Sequence, residues 1–256
     1  MSNAIVVIPT YNEKENIALV IDAVFSLTKD FHVLIVDDNS PDGTAAIVKD
    51  LQKHYNKTSE QLQLLQRPGK QGIGTAYIAG FRYALERDYQ FILEMDADFS
   101  HDPKDLIYLY LACAEGGADL SIGSRYVTGV NVVNWPMGRV LLSYYASAYV
   151  RAVTGIEIRD TTAGFVCYRR SVLETIPLNQ IKFVGYAFQI EMKFVAWKCG
   201  FVLKEVPIIF TERVRGSSKL SAGIFKEAFF GVMQLKLQSW FRKYPKAAAV
   251  SRTESL

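Results

Sequence analysis

Two carboxylates separated by one small residue, Asp96-Ala97-Asp98, follow the short apolar run Phe91 to Leu93. If that run is a buried strand of an open parallel sheet, the pair lies at the strand's C-terminal mouth, where such sheets bind ligands. Two acids there suit a hard divalent cation, Mg²⁺ or Mn²⁺, which prefers oxygen ligands and completes its shell with water and substrate phosphates. Short polar loops after strands also carry acids that only face water or cap the next helix, so the pair acquires meaning from the rest of the chain.

The elements that must position it read as an alternation. Ala4 to Pro9 is a β-branched strand followed by Thr10-Tyr11-Asn12-Glu13 and a helix over Glu15 to Leu27; His32 to Val36 leads into Asp37-Asp38-Asn39-Ser40-Pro41-Asp42-Gly43-Thr44 and a helix to Tyr55. A third strand, Leu62 to Gln66, precedes the loop Arg67 to Gly74 and a helix over Thr75 to Arg87. Repetition of strand, polar loop and helix predicts a mostly parallel sheet with right-handed crossovers. Gly72-Ile73-Gly74 is not a dinucleotide fingerprint, because the third glycine position is Tyr77 and no strand-end acid follows at the required distance.

Beyond the acid pair come a helix over Pro103 to Glu115, a strand Asp119 to Gly123 ending in Ser124-Arg125-Tyr126, and a helix opened by Trp135 to Arg139 and running to Val153. Asp160 to Phe165 is a turn before a strand Val166 to Arg169; helices follow at Ser171 to Thr175 and Tyr186 to Cys199. Val202 to Phe210 is a last strand, and Pro207 within it fits a sheet edge. His101 reads as a loop or capping residue, since a hard cation has little use for imidazole. Asp37 reads as shaping the turn beside Asp38.

Composition narrows the classes. Half of the 256 residues are hydrophobic, enough for a substantial core and too many for a disordered chain. Cys113, Cys167 and Cys199 are far apart and form no CxxC pair, which argues against a disulfide framework and a zinc site. Neither a signal peptide nor an apolar stretch of bilayer length is evident, so the expectation is a cytoplasmic protein that still meets membranes. The net charge of +3 is uneven: residues 1–212 hold 20 Lys+Arg and 24 Asp+Glu, whereas 213–256 hold 9 and 2. A basic C-terminal segment on an acidic body suggests an anionic partner. The stretch Ala222 to Tyr244 is a helix apolar around most of its circumference, with Lys226, Lys236, Arg242 and Lys243 beside Trp240 and Phe241, a pattern suited to a lipid interface and also to packing on the domain.

In order, Pro9 to Glu13, Val36 to Thr44, Asp96-Ala97-Asp98, Gly123-Ser124-Arg125-Tyr126 and Arg213 with Lys219 resemble the inverting family 2 glycosyltransferases of GT-A fold, and within them the polyprenol-phosphate (dolichol-phosphate) mannose synthases. The resemblance runs from Ile5 to about Phe230. It implies an α/β GT-A catalytic domain over 1–221, an amphipathic interface helix over 222–244 and a disordered tail over 245–256. It implies mannose transfer from GDP-mannose to a polyprenyl phosphate at the cytoplasmic face of a membrane, with Mg²⁺ or Mn²⁺ and no nucleic-acid partner. Pro9, Tyr11, Glu13, Val36 and Asp38 would surround the base and ribose; Asp96, Ala97 and Asp98 would meet the diphosphate and metal, with Asp98 the direct ligand and Asp96 beside it. In some relatives a glutamine two residues on also reaches the metal, and here that position is Ser100.

A lipid monophosphate is already an anion, so the transfer needs no strong base; it needs cations to hold two anionic reactants together. Arg125, Arg139, Arg213 and Lys219 are the candidates, Arg125 as a catalytic group and Arg213 and Lys219 facing the donor phosphates as well. Alternatives are a family 2 enzyme using another donor such as UDP-glucose or a glycan acceptor, and a non-catalytic nucleotide-sugar-binding module. Membrane attachment is expected through Gly138 to Val153 and Ala222 to Phe241, a partner protein in the membrane being the other route.

Overall fold

The computed structural model describes residues 2–212 and 222–247, with side chains of 222–228 excepted. Its centre is the strand β1 (Ala4–Thr10), apolar from Ala4 to Pro9 and flanked by β2 (His32–Asp37) and β4 (Phe91–Glu94), both parallel to it. The seven-stranded sheet has the order β3-β2-β1-β4-β7-β5-β8, with β3 Leu62–Gln66, β5 Leu120–Ser124, β7 Val166–Arg169 and β8 Leu203–Pro207. Only β7 runs against its neighbours, inserted between β4 and β5. β8 is an edge strand ending at Pro207, as its proline requires. Outside this sheet, β6 (Val132–Val133) pairs with β9 (Phe210–Thr211). The sequence pattern marks no strand at β6, and it runs Phe210 of β9 into the preceding strand.

Alternation along β1 builds two cores. Ile5 and Val7 face one layer, which includes Tyr77 and Phe81 of α3 (Ile73–Leu85) and Phe188 and Met192 of α7 (Ala187–Lys198). Ala4, Val6 and Ile8 face the other, with Ile17 and Ile21 of α1 (Ile17–Phe25), Val48 of α2 (Thr44–Tyr55) and Leu106 and Leu109 of α4 (Asp105–Ala114). Each such side chain removed from water contributes about 1.5 to 3 kcal/mol. Helix α3 lies so near β1 that a Cβ on Gly80 would stand 2.4 Å from Val7 Cγ1. A glycine is therefore required there for close helix-to-strand approach.

Helix α5 (Met137–Thr154) leaves the sheet after β6, and the short α6 (Arg170–Thr175) follows β7. Helix α8 (Ala222–Ser239) lies against α5 and ends five residues before the expected Tyr244. Tyr149 stacks on Phe229 with ring centroids 4.6 Å apart and donates its hydroxyl to Phe229 O at 2.9 Å. Val232 and Leu235 are buried, while Phe230, Met233, Leu237, Trp240 and Phe241 are exposed. Over its described side chains, residues 229–239, α8 thus buries a narrow stripe rather than most of its surface. Of the segment expected to be a disordered tail, residues 245–247 are placed, with Ala247 N–H donating to Cys199 O at 2.8 Å. The remainder of that tail lies outside the described residues.

Candidate active site at the C-terminal edge of the sheet

The parallel strands β1, β2 and β4 deliver their following loops to one edge. Each loop turns through a left-handed residue, Asn12 (φ 58°), Asn39 (φ 57°) and Phe99 (φ 58°). Asparagine tolerates that conformation, but a bulky phenylalanine is an outlier there and marks strain held by its surroundings.

The first two loops are laced together. Asp37 is fully buried and accepts from Thr10 Oγ1 at 2.9 Å, Ser40 N–H at 2.9 Å and Ser40 Oγ at 2.6 Å. Ser40 Oγ accepts from Asn12 N–H at 3.0 Å, Thr44 Oγ1 from Glu13 N–H at 3.1 Å, and Asp42 from Lys14 N–H at 3.0 Å. The Asn39 to Thr44 stretch therefore holds the Tyr11 to Glu13 loop in place, and Asp37 shapes the turn as its sequence position suggests. Hydrogen bonds hold Asp42 below the ordinary carboxylate range despite partial burial.

Asp38 is buried and rests against Arg67, which the sequence places at the start of the loop Arg67 to Gly74 without a role. Arg67, at the end of β3, brings Nε to 2.9 Å from Asp38 Oδ1, an ion contact too bent to be a hydrogen bond. Its Nη2 donates to Thr75 Oγ1 at 2.8 Å, and its buried Nη1 has no hydrogen-bond partner. Burial raises Asp38 above the usual carboxylate range although Arg67 opposes the shift. Lys70 lies 5.1 Å from the Tyr11 ring centroid. The available signal was positional: a basic residue at the mouth of a strand neighbouring the acidic ones. Pro9, Tyr11 and Glu13 are half-buried at this rim. Val36, expected beside the base and ribose, has its side chain fully buried in the core near where a Gly80 Cβ would lie. A strand buried on both faces gives no sequence cue to which side chains reach the rim.

Asp96, half-buried, accepts from Tyr77 OH at 3.3 Å; Asp98, 6 % exposed, accepts from Ser100 N–H at 3.0 Å. Ala97 and Ser100 are buried, and Ser100 O accepts from Thr211 N–H at 3.1 Å, tying the acid loop to β9. Among the described residues no cluster of three or more His, Cys, Asp or Glu side chains could hold a metal. Two carboxylates are nevertheless the donor set a hard cation such as Mg²⁺ uses, with water and substrate phosphates completing its shell. His101 lies in the loop between β4 and α4, as its reading as a loop or cap residue has it, but it does not face solvent. Its ring is buried, stacked on Phe165 with centroids 4.7 Å apart and edge-on to Phe210 at 5.2 Å, and Nδ1 has no partner. Burial pushes its pKa down to about 4.

Across the edge lies a cationic and aromatic group. Arg125 is buried and gives Nε and Nη2 to Asp160 Oδ2 and Oδ1, both at 2.7 Å, and Nη2 also to Thr162 Oγ1 at 2.8 Å. Asp160 accepts the Arg125 N–H too, at 3.0 Å. Burial alone would raise Asp160, but Arg125 holds it below the ordinary range; the same pairing keeps Arg125 fully charged. The expected catalytic and phosphate-holding guanidinium is thus bidentate on an aspartate 35 residues away, a partner that sequence spacing does not reveal. Arg139 is ion-paired with Glu212 and lies 4.1 Å from the Trp135 ring centroid. It too is engaged by a carboxylate, although it sits nearer the surface. Arg213 and Lys219 lie outside the described residues.

Behind the acid pair, Glu94 is fully buried, accepting from Gln189 Nε2 at 2.5 Å and Tyr168 OH at 3.1 Å. Lys193, equally buried, donates to Ala163 O at 2.5 Å. Burial moves Glu94 up to about 7 and Lys193 down to about 8.

A parallel-centred sheet with one reversed strand, acidic loops at its C-terminal edge and a cationic wall opposite defines a GT-A glycosyltransferase. The same fold occurs in glucosyl-3-phosphoglycerate synthase from Mycobacterium tuberculosis in complex with Mn²⁺, UDP and glucosyl-3-phosphoglycerate, with TM-score 0.63, 16% identity, and coverage of 92% of this chain and 78% of that one. It occurs also in a mannosyltransferase from Pyrobaculum calidifontis in complex with GDP-Man and Mn²⁺, with TM-score 0.59, 18% identity, and coverage of 95% and 66%. In sequence, the chain is 46% identical to a polyprenol monophosphomannose synthase of Mycolicibacterium smegmatis, across 90% of this chain and 85% of that protein. It is 43% identical to an undecaprenyl-phosphate mannosyltransferase of Micrococcus luteus, across 88% and 90%. The family model for glycosyl transferase family 2 matches residues 5–177. The chain belongs to glycosyl transferase family 2, and it is an enzyme of that family.

Proposed function

We propose that the enzyme transfers mannose from GDP-mannose to a polyprenyl monophosphate with inversion at the anomeric carbon. The observation that carries this reading is the likeness, over nine-tenths of the chain, to a polyprenol monophosphomannose synthase. An acceptor phosphate oxygen attacks the anomeric carbon, the bond from that carbon to the diphosphate oxygen breaks, and GDP leaves with the electron pair. The acceptor is already ionised, so no side chain must remove a proton.

The Tyr11 to Glu13 rim, Asp38 and Arg67 would receive the nucleoside, with Lys70 at the entrance. Asp96 and Asp98 fit a divalent cation by their oxygen chemistry and adjacency, with the Ser100 hydroxyl as a further oxygen nearby. When bound, Mg²⁺ or Mn²⁺ supplies Lewis-acid stabilisation of the charge developing on the diphosphate. Arg139, with Arg213 and Lys219, is assigned to the acceptor phosphate. Arg125 supports this wall through Asp160. The test is incubation with labelled GDP-mannose and a polyprenyl phosphate; absence of metal-dependent labelled lipid would sink the reading, and calorimetry with GDP and UDP separates the donors.

No helix among the described residues is long and apolar enough to cross a membrane. Leu141, Leu142, Tyr144 and Tyr145 on α5 are exposed, as are Phe229, Phe230, Met233 and Leu237 on α8, the helix packed against it. This supports peripheral attachment to a membrane, the aromatic side chains entering the lipid interface; the face proposed is the cytoplasmic one. Flotation with anionic liposomes at low salt is the expected result; failure to float favours a membrane-bound partner protein instead.

A further inference from the structure

We propose that Glu94, Gln189 and Lys193 form a buried strut that sets the position of the acid loop relative to the Arg125–Asp160 pair, making them positioning residues for the transfer. The proposal rests on the reading of the site as one that brings two anionic reactants together. Gln189 and Lys193 lie one turn apart on α7 and so share a face. Gln189 Nε2 reaches forward to Glu94, two residues before Asp96 on the strand that delivers the acid pair. Lys193 Nζ donates to Ala163 O at 2.5 Å, to Gln189 O at 3.1 Å and to Gln189 Oε1 at 3.3 Å. Ala163 belongs to the same turn as Asp160, whose carboxylate holds Arg125. The Gln189 amide therefore joins the two halves: its nitrogen serves the donor-side strand and its oxygen serves the lysine that grips the turn behind the cationic wall. A Cβ on Gly164 would lie 3.6 Å from Gln189 Nε2, so the turn packs directly on this amide.

Stability is a poor reason for this arrangement. Two fully buried ionisable groups linked through one amide carry a desolvation penalty, and replacing both members of a buried pair with apolar groups of similar volume is often neutral or stabilising, whereas removing one is strongly destabilising. What the network does supply is a buried polar link between two loops that also meet through the Glu94–Val166 pairing and the His101–Phe165 stack. Small misplacement of reacting groups costs far more rate than binding.

The experiment uses the full chain with Gln189→Met, Lys193→Met and the double change Glu94→Gln with Lys193→Met. Thermal unfolding and the stoichiometry of nucleotide binding first establish the fraction of competent sites. Per competent site, the double variant and Gln189→Met are expected to lose about ten- to a hundred-fold in kcat, with KM for both substrates within about three-fold of the parent. Hydrogen exchange gives a readout independent of the sugar and the lipid: nucleoside diphosphate plus Mn²⁺, with GDP and UDP in separate arms, should slow amides at 96–100 and also at 160–165 in the parent, but only at 96–100 in Gln189→Met. Parent-like kcat per competent site, or protection at 160–165 that is absent in the parent or retained in Gln189→Met, overturns the strut. So does failure of every variant to fold, which makes the network a folding element. If the parent transfers no mannose to polyprenyl phosphate, the functional reading falls while the exchange data still judge the strut.

Discussion

His101 makes the metal-free protein sensitive to acid in a calculable way. Its ring lies between Phe165 and Phe210 with Nδ1 unpartnered, and burial holds its pKa at about 4 against an ordinary value of 6.5. The folded-state pKa is depressed, so the unfolded chain binds the proton more tightly. Stability is then fully present above pH 6.5 and is lost as pH falls toward 4. Between pH 7.5 and 4.5 the linked loss is roughly 2.5 kcal/mol from this one ring. For a domain of this size that corresponds to a fall in Tm of about 5 to 10 °C. His101→Phe keeps the stacking, removes the unpartnered nitrogen and removes the titration. Tm measured by circular dichroism at both pH values, with chelator present, should therefore fall less in His101→Phe than in the parent, by the stated amount. Equal losses in the two proteins would refute the reasoning and place the ring in contact with water or an acid when folded.

Asp98→Ala should abolish metal-dependent transfer with Tm changed by less than about 3 °C, because the bond the carboxylate accepts from Ser100 N–H is local to its own loop; retained turnover would remove the metal assignment. Asp160→Asn should destabilise by about 3 to 5 kcal/mol in urea unfolding, since it leaves the buried Arg125 guanidinium without its counter-charge. A loss of activity with unchanged stability would show that Arg125 is not held as described. Gly80→Ala should cost about 1 to 3 kcal/mol, the typical penalty of overpacking, because its Cβ meets Val7 Cγ1; a neutral effect in the same assay would mean that α3 can shift away from β1.

The sequence by itself determined where chain segments become strands and where polar loops begin. Leu62–Gln66 and Val166–Arg169 have the bounds read from their apolar runs, and Asp96 and Asp98 follow β4 as the alternation requires. These features are local: period-two apolar runs, strand-ending prolines and acids immediately after a strand are visible within a few residues. Tertiary structure decided which partners those residues meet. The reversal of β7 depends on the path taken by α5 and the turn after it, which no pattern within Val166–Arg169 encodes. The burial of Val36 in the core was not legible because a doubly buried strand has no polar face to mark its rim. Arg125 went to Asp160, Arg139 to Glu212 and Asp38 to Arg67 because each buried or half-buried charge must be neutralised by whatever the fold brings within about 3 Å. Lys193, at a position indistinguishable in sequence from a solvated helix lysine, is fully buried because α7 packs on both the sheet and the Asp160 turn. Charge identity is written in the chain; charge pairing is a property of the folded surface around it.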